Sequence, residues 1–343
     1  MPAVQQSPES RQKRSAAEPP RAGRPRRGLH RRRLWVSALA LAVLVAGAGF
    51  GCAYSRGSGP TGPVPERVVP QLPLPWPGEG QSAVEVEGVG LLGTQGAQEP
   101  VPIASVTKVM TAYVILQDHP LKKGDEGPVV TVDRQAADEA GSASESTAPA
   151  TEGQQLSQRK LLELMLIPSG NNIARLLARW DTGSQETFAA RMNKAAANLG
   201  MTNTRYTGAS GIEQDTVSTA QDQLKLARAA MKDETFRSVV AEKATDVPGS
   251  GTSVKNSNTL LGTSGVIGLK TGSTTPAGGN LLWAATVTAG GKERLVLGAV
   301  LHQKAGTTPD QGLQAALDAS GKLAAAVNGG LQEALDRAAD GGR

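Results

Sequence analysis

A serine and a lysine three residues apart, Ser105 and Lys108, lie in an otherwise apolar stretch of the chain. On a helix this spacing puts both side chains on one face, with Cβ atoms about 5 to 6 Å apart. A serine hydroxyl becomes an effective nucleophile when a neighbouring base takes its proton, and a lysine is that base only as the neutral amine. Burial and a second nearby cation both lower a lysine pKa from its reference of about 10.4. The pair therefore predicts covalent catalysis by Ser105 with Lys108 as the general base.

The spacing alone is weak evidence, because Ser-x-x-Lys occurs three times in the chain. Ser10 and Lys13 lie in a basic, proline-rich tail that has no core to bury a lysine. Ser157 and Lys160 are better explained as a helix N-cap followed by an exposed lysine. The pair at 105 and 108 has apolar neighbours, and its structural alternative is a buried serine with a lysine whose amine reaches solvent. These neighbours are Val106, Val109, Met110, Val114, Ile115 and Leu116.

Two later motifs supply further polar groups. Ser169-Gly170-Asn171 falls between two predicted helices, where a proline and a glycine favour a tight turn that aims a hydroxyl and an amide into a cleft. Lys270-Thr271-Gly272-Ser273 ends a predicted strand, and its glycine leaves room for an extended substrate alongside. Each motif has a simpler alternative: capping of the following helix for the first, and a strand end running into a loop for the second.

Hydrophobic periodicity places strands at both ends of the folded region and helices between them. This order predicts an α/β (α+β) fold in which one antiparallel sheet, assembled from both chain ends, is flanked by helices and joined to a helical lobe. The catalytic helix is predicted from Pro102 to His119, and residues 120–155 are expected to be mostly loop. The predicted strands are 83–87 with 89–92, 265–270, 281–288 and 294–301, and the other predicted helices are 157–167, 172–180, 184–199, 219–232 (opened by a Ser218 capping box) and 308–327.

The N-terminal region has the pattern of a membrane anchor. Residues 1–33 hold ten Lys/Arg and two Glu, so the remaining 26 basic and 29 acidic residues leave the rest of the chain at −3, and nucleic-acid binding is not predicted. Residues 34–54 contain no charged residue and are long enough to cross the hydrocarbon layer as a helix. The positive-inside rule puts the tail in the cytoplasm and the following domain outside, as in a single-pass membrane protein. Secretion after cleavage of a signal peptide is the alternative.

The remaining boundaries follow from composition. Residues 55–80 include seven prolines and predict an extended spacer. The catalytic domain is predicted at 81–328, followed by a C-terminal tail at 329–343.

Cys52, the only cysteine, falls in the predicted membrane segment, so no disulfide is expected in the exported domain. Three histidines in the whole chain give little support to a zinc peptidase, and no cofactor or metal is predicted.

The three motifs together resemble those of the penicillin-recognising serine acyl-enzymes, S-x-x-K, S-x-N and K-T-G. Ser169 follows Ser105 by 64 residues, and Lys270 follows Ser169 by 101. Over roughly residues 81–326 the chain resembles the S11-type D-alanyl-D-alanine carboxypeptidases, which are low-molecular-mass penicillin-binding proteins. The resemblance rests on IASVTKVMTAY (103–113), MLIPSGNN (165–172), ARMN (190–193), LGMTNT (199–204) and GLKTG (268–272).

The resemblance implies a role for each catalytic residue. Ser105 would attack the carbonyl between the two D-alanines that end a peptidoglycan stem peptide, forming an acyl-enzyme and releasing the last D-alanine. Lys108 would be the base, and Ser169 would relay a proton toward the leaving amine. β-Lactams would acylate Ser105 as covalent inhibitors.

The resemblance also implies a binding role for the other motif residues. Asn171 would bind the substrate backbone and Lys108, while Lys270 and Thr271, in the same motif as Gly272, would hold the terminal carboxylate. The backbone N–H groups of Ser105 and Ser273 would bind the oxyanion. Lys270 would also help to keep Lys108 neutral through like-charge repulsion.

Some positions depart from the family pattern, and some functional alternatives stay open. Asn172 stands where relatives often have an acidic residue, and Val101 and Ile103 replace a basic residue and a proline, which affects local support and subsite preference. No E-x-x-L-N segment lies between Asn171 and Lys270, so fast penicillin hydrolysis of the class A β-lactamase type is not expected. A D,D-endopeptidase acting on crosslinks and a non-hydrolysing β-lactam sensor remain alternatives.

Overall fold

The computed structural model of the protein describes residues 71–340, which form eleven strands, eight α-helices and a short 3-10 helix at Ala104–Thr107. The strands are β1 (Gln81–Val86), β2 (Gly90–Gln95), β3 (Val101–Pro102), β4 (Val129–Thr131), β5 (Gln155–Ser157), β6 (Val217–Ser218), β7 (Ala244–Val247), β8 (Thr252–Lys255), β9 (Val266–Thr274), β10 (Gly278–Ala289) and β11 (Lys292–Gln303). The helices are α1 (Lys108–Asp118), α2 (Arg134–Glu139), α3 (Gln158–Leu166), α4 (Asn171–Thr182), α5 (Gln185–Asn198), α6 (Ala220–Ala230), α7 (Glu234–Val240) and α8 (Pro309–Asp340).

The main sheet has five antiparallel strands in the order β2-β1-β11-β10-β9. Strand β1, from the start of the domain, pairs with β11 from its end, in a register that sets Gln81 opposite Leu301. Strands β10 and β11 form a hairpin closed at Ala289 and Lys292. The prediction of one antiparallel sheet assembled from both chain ends is therefore confirmed.

Alternate side chains of β10 enter two separate hydrophobic cores, because neighbouring residues of a strand point to opposite faces. Leu281 and Trp283 pack in the core beneath α8. Leu282 and Ala284 belong to the larger core shared with the helical lobe. Helix α8 approaches so closely that a Cβ on Gly279 would lie 1.7 Å from a backbone oxygen of α8. The sheet is thus fixed between the closing helix and the lobe that contains the first two motifs.

The closing helix is longer than predicted, since α8 continues to Asp340 and passes the expected boundary at 328. Gly329 and Gly330 lower helix propensity, but packing outweighs this cost. Leu331 is buried, and a Cβ on Gly330 would come within 2.6 Å of the Leu72 side chain. Residues of the predicted C-terminal tail therefore belong to the packed helix.

The last part of the predicted spacer lies against the domain. Leu72, Leu74 and Trp76 are partly buried against the core beneath α8, and the Trp76 ring lies over Gly93. The predicted tail at 1–33, the membrane segment at 34–54 and most of the spacer lie outside the described residues. Across residues 71–340, we find no helix that combines the length and the apolar composition required to span a bilayer.

Residues 120–155 are mostly loop, as expected, and contain only the short elements β4 and α2 and the first residue of β5. Asp133 caps α2 by accepting from the Ala136 N–H. The predicted cap of α6 was wrong by one residue, because Thr219 and not Ser218 caps this helix; its Oγ1 accepts from Asp222 N at 3.1 Å. Both hydroxyl residues suit an N-cap, so the sequence pattern alone does not place the first residue of this helix.

Candidate active site

The nucleophile motif lies in a 3-10 helix that leads into α1, whereas the sequence predicted one continuous helix from Pro102. Pro102 belongs to β3, and Ala104 has a φ of +46°, a left-handed conformation that residues with side chains rarely adopt. The Ala104 carbonyl accepts a hydrogen bond from Thr107 Oγ1 at 2.8 Å. Gly211 packs against the same carbonyl, because a Cβ on Gly211 would lie only 2.0 Å from the Ala104 oxygen. This turn leaves Ser105 half-buried between buried neighbours.

The amine of Lys108 is fully buried and has three polar neighbours. Its Nζ lies 2.8 Å from Ser105 Oγ, 2.5 Å from Asn171 Oδ1 and 2.8 Å from the backbone oxygen of Ser210. A neutral amine has two N–H donors and one lone pair. Asn171 and Ser210 offer only acceptor oxygens to it, so they take the two donors and leave the lone pair for the Ser105 hydroxyl proton. The arrangement suits a general base.

The surroundings of Lys108 also favour its neutral form. Burial is the largest cause that lowers its pKa well below the ordinary value, and the positive charges of Lys270 and Arg175 add to the effect. Glu145 and Glu213 oppose it by attracting the protonated form. No carboxylate contacts the Nζ directly among its hydrogen-bonded neighbours. Lys270 therefore acts on Lys108 in the direction that the sequence predicted.

The second motif occupies the tight turn between α3 and α4, as predicted. Ser169 is buried with a φ of +70°, and Asn171 begins α4. A side chain on Gly170 would meet Leu164 O at 2.8 Å and Ala148 Cβ at 2.9 Å, so the turn requires glycine. The turn brings the Asn171 amide to Lys108 from a helix other than α1.

The third motif lies on β9, the edge strand of the sheet next to the nucleophile. Lys270 is buried, and its burial lowers the pKa to about 7. Thr271 Oγ1 lies 2.6 Å from Ser257 Oγ, and Ser273 is half-buried. A Cβ on Gly272 would lie 2.8 Å from the backbone N of Ser105, so the missing side chain allows β9 to pack against the nucleophile turn.

Residues 81–303 match the D-alanyl-D-alanine carboxypeptidase family of S11 peptidases. The chain belongs to this family. It is 37% identical over 226 residues to a D-alanyl-D-alanine carboxypeptidase of Streptomyces sp. strain K15, and the match covers 61% of this chain and 75% of that protein. The S11 peptidases are serine hydrolases, so the chain belongs to a family of serine hydrolases.

Solved structures share the fold. The crystal structure of the Streptomyces K15 DD-transpeptidase matches with a TM-score of 0.61 and 32% identity, over 74% of this chain and 97% of that one. Penicillin-binding protein D2 of Listeria monocytogenes, in its cefotaxime-bound form, matches with a TM-score of 0.60 and 28% identity, over 75% and 98% of the two chains. The predicted fold class is therefore that of the DD-peptidases.

One departure from the family pattern has a structural explanation here. Asn172 is fully buried; its Oδ1 accepts from Ala148 N at 3.0 Å, and its Nδ2 donates to the carbonyls of Ala136 and Ala148 at 3.1 and 2.9 Å. These bonds attach both α2 and the segment between α2 and β5 to the start of α4. An amide can make all three bonds, whereas a carboxylate could only accept.

The sequence analysis missed three residues that take part in the candidate active site of this S11 carboxypeptidase. Ser210 supplies a backbone acceptor for Lys108, while Glu145 and Arg175 join a polar network that reaches Asn171. A backbone carbonyl has no sequence signature. Glu145 lies in a segment of low complexity, but Arg175, four residues after Asn171, lies on the same helix face and could have been noticed.

Proposed function

We propose that this protein is a serine-type D-alanyl-D-alanine carboxypeptidase that trims the terminal D-alanine from peptidoglycan stem peptides through an acyl-enzyme at Ser105. The observation that supports it most strongly is the position of the buried Lys108 amine, whose Nζ lies 2.8 Å from Ser105 Oγ and beside two acceptor oxygens, Asn171 Oδ1 and the Ser210 carbonyl. A neutral amine would donate its two N–H groups to those oxygens and leave its lone pair for the Ser105 proton. Family membership supplies the reaction class.

The first half of the reaction forms an ester. The substrate lies along the edge of β9 with its carboxylate at Lys270 and Thr271. Lys108 takes the Ser105 proton as Oγ attacks the penultimate D-alanine carbonyl, and the negative oxygen is held by the N–H groups of Ser105 and Ser273. The C–N bond then breaks, Ser169 passes its proton to the leaving nitrogen and takes one from the protonated Lys108, and D-alanine departs while Lys108 returns to the neutral form.

The second half restores the enzyme. Water attacks the ester carbonyl and loses a proton to Lys108, the bond from carbon to Ser105 Oγ breaks, and Oγ recovers a proton. β-Lactams acylate the same hydroxyl, because their strained amide stands in for the peptide bond. The cefotaxime-bound form of the Listeria neighbour supports this part of the proposal. Slow hydrolysis of the drug ester follows from the missing E-x-x-L-N segment.

The site is proposed to work outside the cytoplasm. Residues 34–54 would form a single-pass anchor, preceded by the cytoplasmic tail at 1–33 and followed by the spacer from 55, with cleavage and secretion as the alternative. The uncharged run and the basic residues before it support this arrangement. This arrangement would place the carboxypeptidase beside its substrate, the peptidoglycan. No nucleic-acid partner is proposed.

The test uses the full-length protein in detergent with a D-Ala-D-Ala peptide and, separately, a labelled penicillin. We expect D-alanine release and a slowly hydrolysed label, both lost in Ser105→Ala and both retained in Ser157→Ala, which alters the other Ser-x-x-Lys pair of the domain. A crosslinked peptide dimer serves as a third substrate. Its cleavage into two stem peptides without D-alanine release from the first peptide would favour the endopeptidase, and labelling with neither reaction would favour the sensor. Labelling that survives Ser105→Ala would overturn the assignment.

A further inference from the structure

The side chain of Asn171 is held at both ends of its amide. Its Oδ1 lies 2.5 Å from Lys108 Nζ, and its Nδ2 donates to Glu145 Oε2 at 2.6 Å. Glu145 comes from the segment between α2 and β5, whose Ser146 carbonyl also accepts from the Asn171 backbone N–H at 2.9 Å. The segment thus contacts the base through a single intervening side chain.

Glu145 is itself fixed by Arg175, which lies one helical turn after Asn171 on α4. Arg175 donates from Nη2 to Glu145 Oε1 at 2.6 Å and from Nη1 to Oε2 at 3.1 Å. Its Nε donates to Glu139 Oε2 at 2.8 Å. The side chains of Arg175 and Glu145 are only 9% and 15% exposed, so solvent screens this pair weakly. Two glutamates therefore share one arginine, and only one of them touches Asn171.

The orientation of the Asn171 amide matters because its two ends are alike in shape and opposite in chemistry. With Oδ1 toward Lys108, the amide accepts an N–H and leaves the amine lone pair for Ser105. In the flipped orientation, Nδ2 would donate to that lone pair and compete with the Ser105 proton. The flip would also turn Oδ1 toward Glu145, where a carboxylate offers no donor and repels the amide oxygen.

We propose that Glu145 is a positioning residue which, held by Arg175, fixes the Asn171 amide so that the lone pair of Lys108 stays available to Ser105. The inference rests on the proposed role of Lys108 as the base. The segment between α2 and β5 would then contribute to acylation through Glu145. The feature that carries it is an acceptor-only group placed on the donor end of a catalytic-site amide.

Glu145 is poorly suited to act as a base itself. Although burial tends to raise the pKa of its carboxyl, the hydrogen bonds from Arg175 and Asn171 prevail and lower it. A carboxylate with a lowered pKa is a weak proton acceptor, and three N–H groups already occupy its oxygens. Its effect on the reaction is therefore expected to pass through Asn171.

The experiment compares Glu145→Gln with Glu139→Gln in the full-length protein, measuring the rate of acylation by a labelled penicillin. Both variants remove one carboxylate from Arg175, so they are matched for the loss of that ion pair. A glutamine at 145 loses the negative charge and replaces one oxygen with an NH₂ group. If its remaining oxygen faces Asn171 Nδ2, its NH₂ group faces the donor Arg175 Nη2, and in the flipped orientation the NH₂ group faces Asn171 Nδ2. We expect acylation to fall about tenfold to a hundredfold in Glu145→Gln, the range for a lost hydrogen bond to a charged group, and less than about threefold in Glu139→Gln.

A second readout separates positioning from general loss of structure. The charged groups that act on Lys108 are Lys270 on β9, Arg175 on α4, Glu145, and Glu213 in the loop before β6, while Glu139 is not among them. Because Glu145 raises the pKa of Lys108, its neutralisation should move the acid limb of the acylation rate to lower pH. Glu139→Gln should leave that limb in place. Glu145→Asp, which keeps an acceptor-only group, should recover part of the rate.

The proposal is overturned if Glu145→Gln acylates as fast as Glu139→Gln, or if Glu145→Asp recovers none of the lost rate. Failure of the proposed function would look different, because the wild-type protein would then release no D-alanine, or Ser105→Ala would still be labelled. If glutamine at 145 prevents folding, Glu145→Ala is compared with Glu139→Ala, since each removes its carboxylate without adding an N–H donor; equal acylation rates in the two would overturn the proposal.

Discussion

The starts of α1 and α3 both contain a serine three residues before a lysine, yet they form different structures. At α3, Ser157 is an N-cap in extended conformation, and its Oγ accepts from Lys160 N at 3.1 Å. At α1, Ser105 lies inside the 3-10 helix, and its Oγ faces the amine of Lys108 at 2.8 Å. The same spacing thus pairs a hydroxyl with a backbone N–H in one case and with a side-chain amine in the other.

The two lysines differ in their partners as well. Lys160 is 24% exposed and bonds to the carboxylate of Glu163 and the hydroxyl of Thr245. Lys108 is completely buried and contacts only uncharged oxygens, with a second buried lysine, Lys270, acting on it electrostatically. A carboxylate partner keeps an amine protonated, whereas burial among neutral acceptors favours the free base. The two pairs therefore differ in their surroundings and not in their spacing, and only the pair at 105 and 108 has the surroundings that the proposed reaction requires.

The largest difference is expected when each lysine is replaced by arginine. Arginine keeps the charge at 160 and can still bind Glu163, but at 108 it cannot lose its proton. Lys108→Arg should therefore slow penicillin acylation by about 10² to 10⁴-fold, the usual contribution of a general base. Lys160→Arg should leave the rate within about twofold, since its effect is confined to a salt bridge. Stopped-flow or gel-based labelling of both variants measures this, and appreciable acylation by Lys108→Arg would point to another base.

A smaller effect of opposite sign is expected when methionine replaces the buried Lys270 or the partly exposed Lys160. The pKa of Lys270 is about 7 in the folded protein against an ordinary 10.5, so charging it opposes folding. Below pH 7, Lys270→Met should raise the free energy of unfolding by roughly 2 to 4 kcal/mol. The unfolded chain binds more protons between pH 7 and 10.5, so wild-type stability rises with pH there and the gain disappears.

Lys160→Met provides the contrast, because it removes the bonds to Glu163 and Thr245 and should lower the free energy of unfolding by about 1 kcal/mol. Urea unfolding at pH 6, 8 and 10 would measure both variants. A Lys270→Met protein that is no more stable than wild type at pH 6 would contradict the interpretation that the buried, protonated Lys270 amine destabilises the folded protein.

The smallest effect concerns the hydroxyl of the α3 pair. Ser157→Ala removes an N-cap and a hydrogen bond to Glu126, and should cost about 1 kcal/mol of stability with no change in acylation. Thermal unfolding and penicillin labelling on the same sample would show both. A loss of labelling that exceeds the loss of folded protein would mean that the start of α3 contributes to the reaction.

Much of the fold could be predicted from the sequence. The alternating and apolar runs at both chain ends predicted the antiparallel sheet, and the helical block between them was also correct. The errors lie where packing overrides local preference: α8 continues through Gly329 and Gly330, and the segment from Pro102 to Thr107 forms a strand end and a 3-10 helix where one continuous helix was expected. Local propensity is a weak guide when contacts with distant residues decide the outcome.

The sequence by itself determined which residue types are available and what chemistry they allow. The three motifs together carried the resemblance to the S11 carboxypeptidases, and that resemblance implied an acyl-enzyme at Ser105 before any contact was known. Only the tertiary structure decided which Ser-x-x-Lys pair has its amine free of carboxylates, because that depends on Asn171, Ser210 and Lys270 arriving from separate elements. It also placed Glu145 on Asn171. A pKa depends on charges and burial in space, which sequence distance does not report.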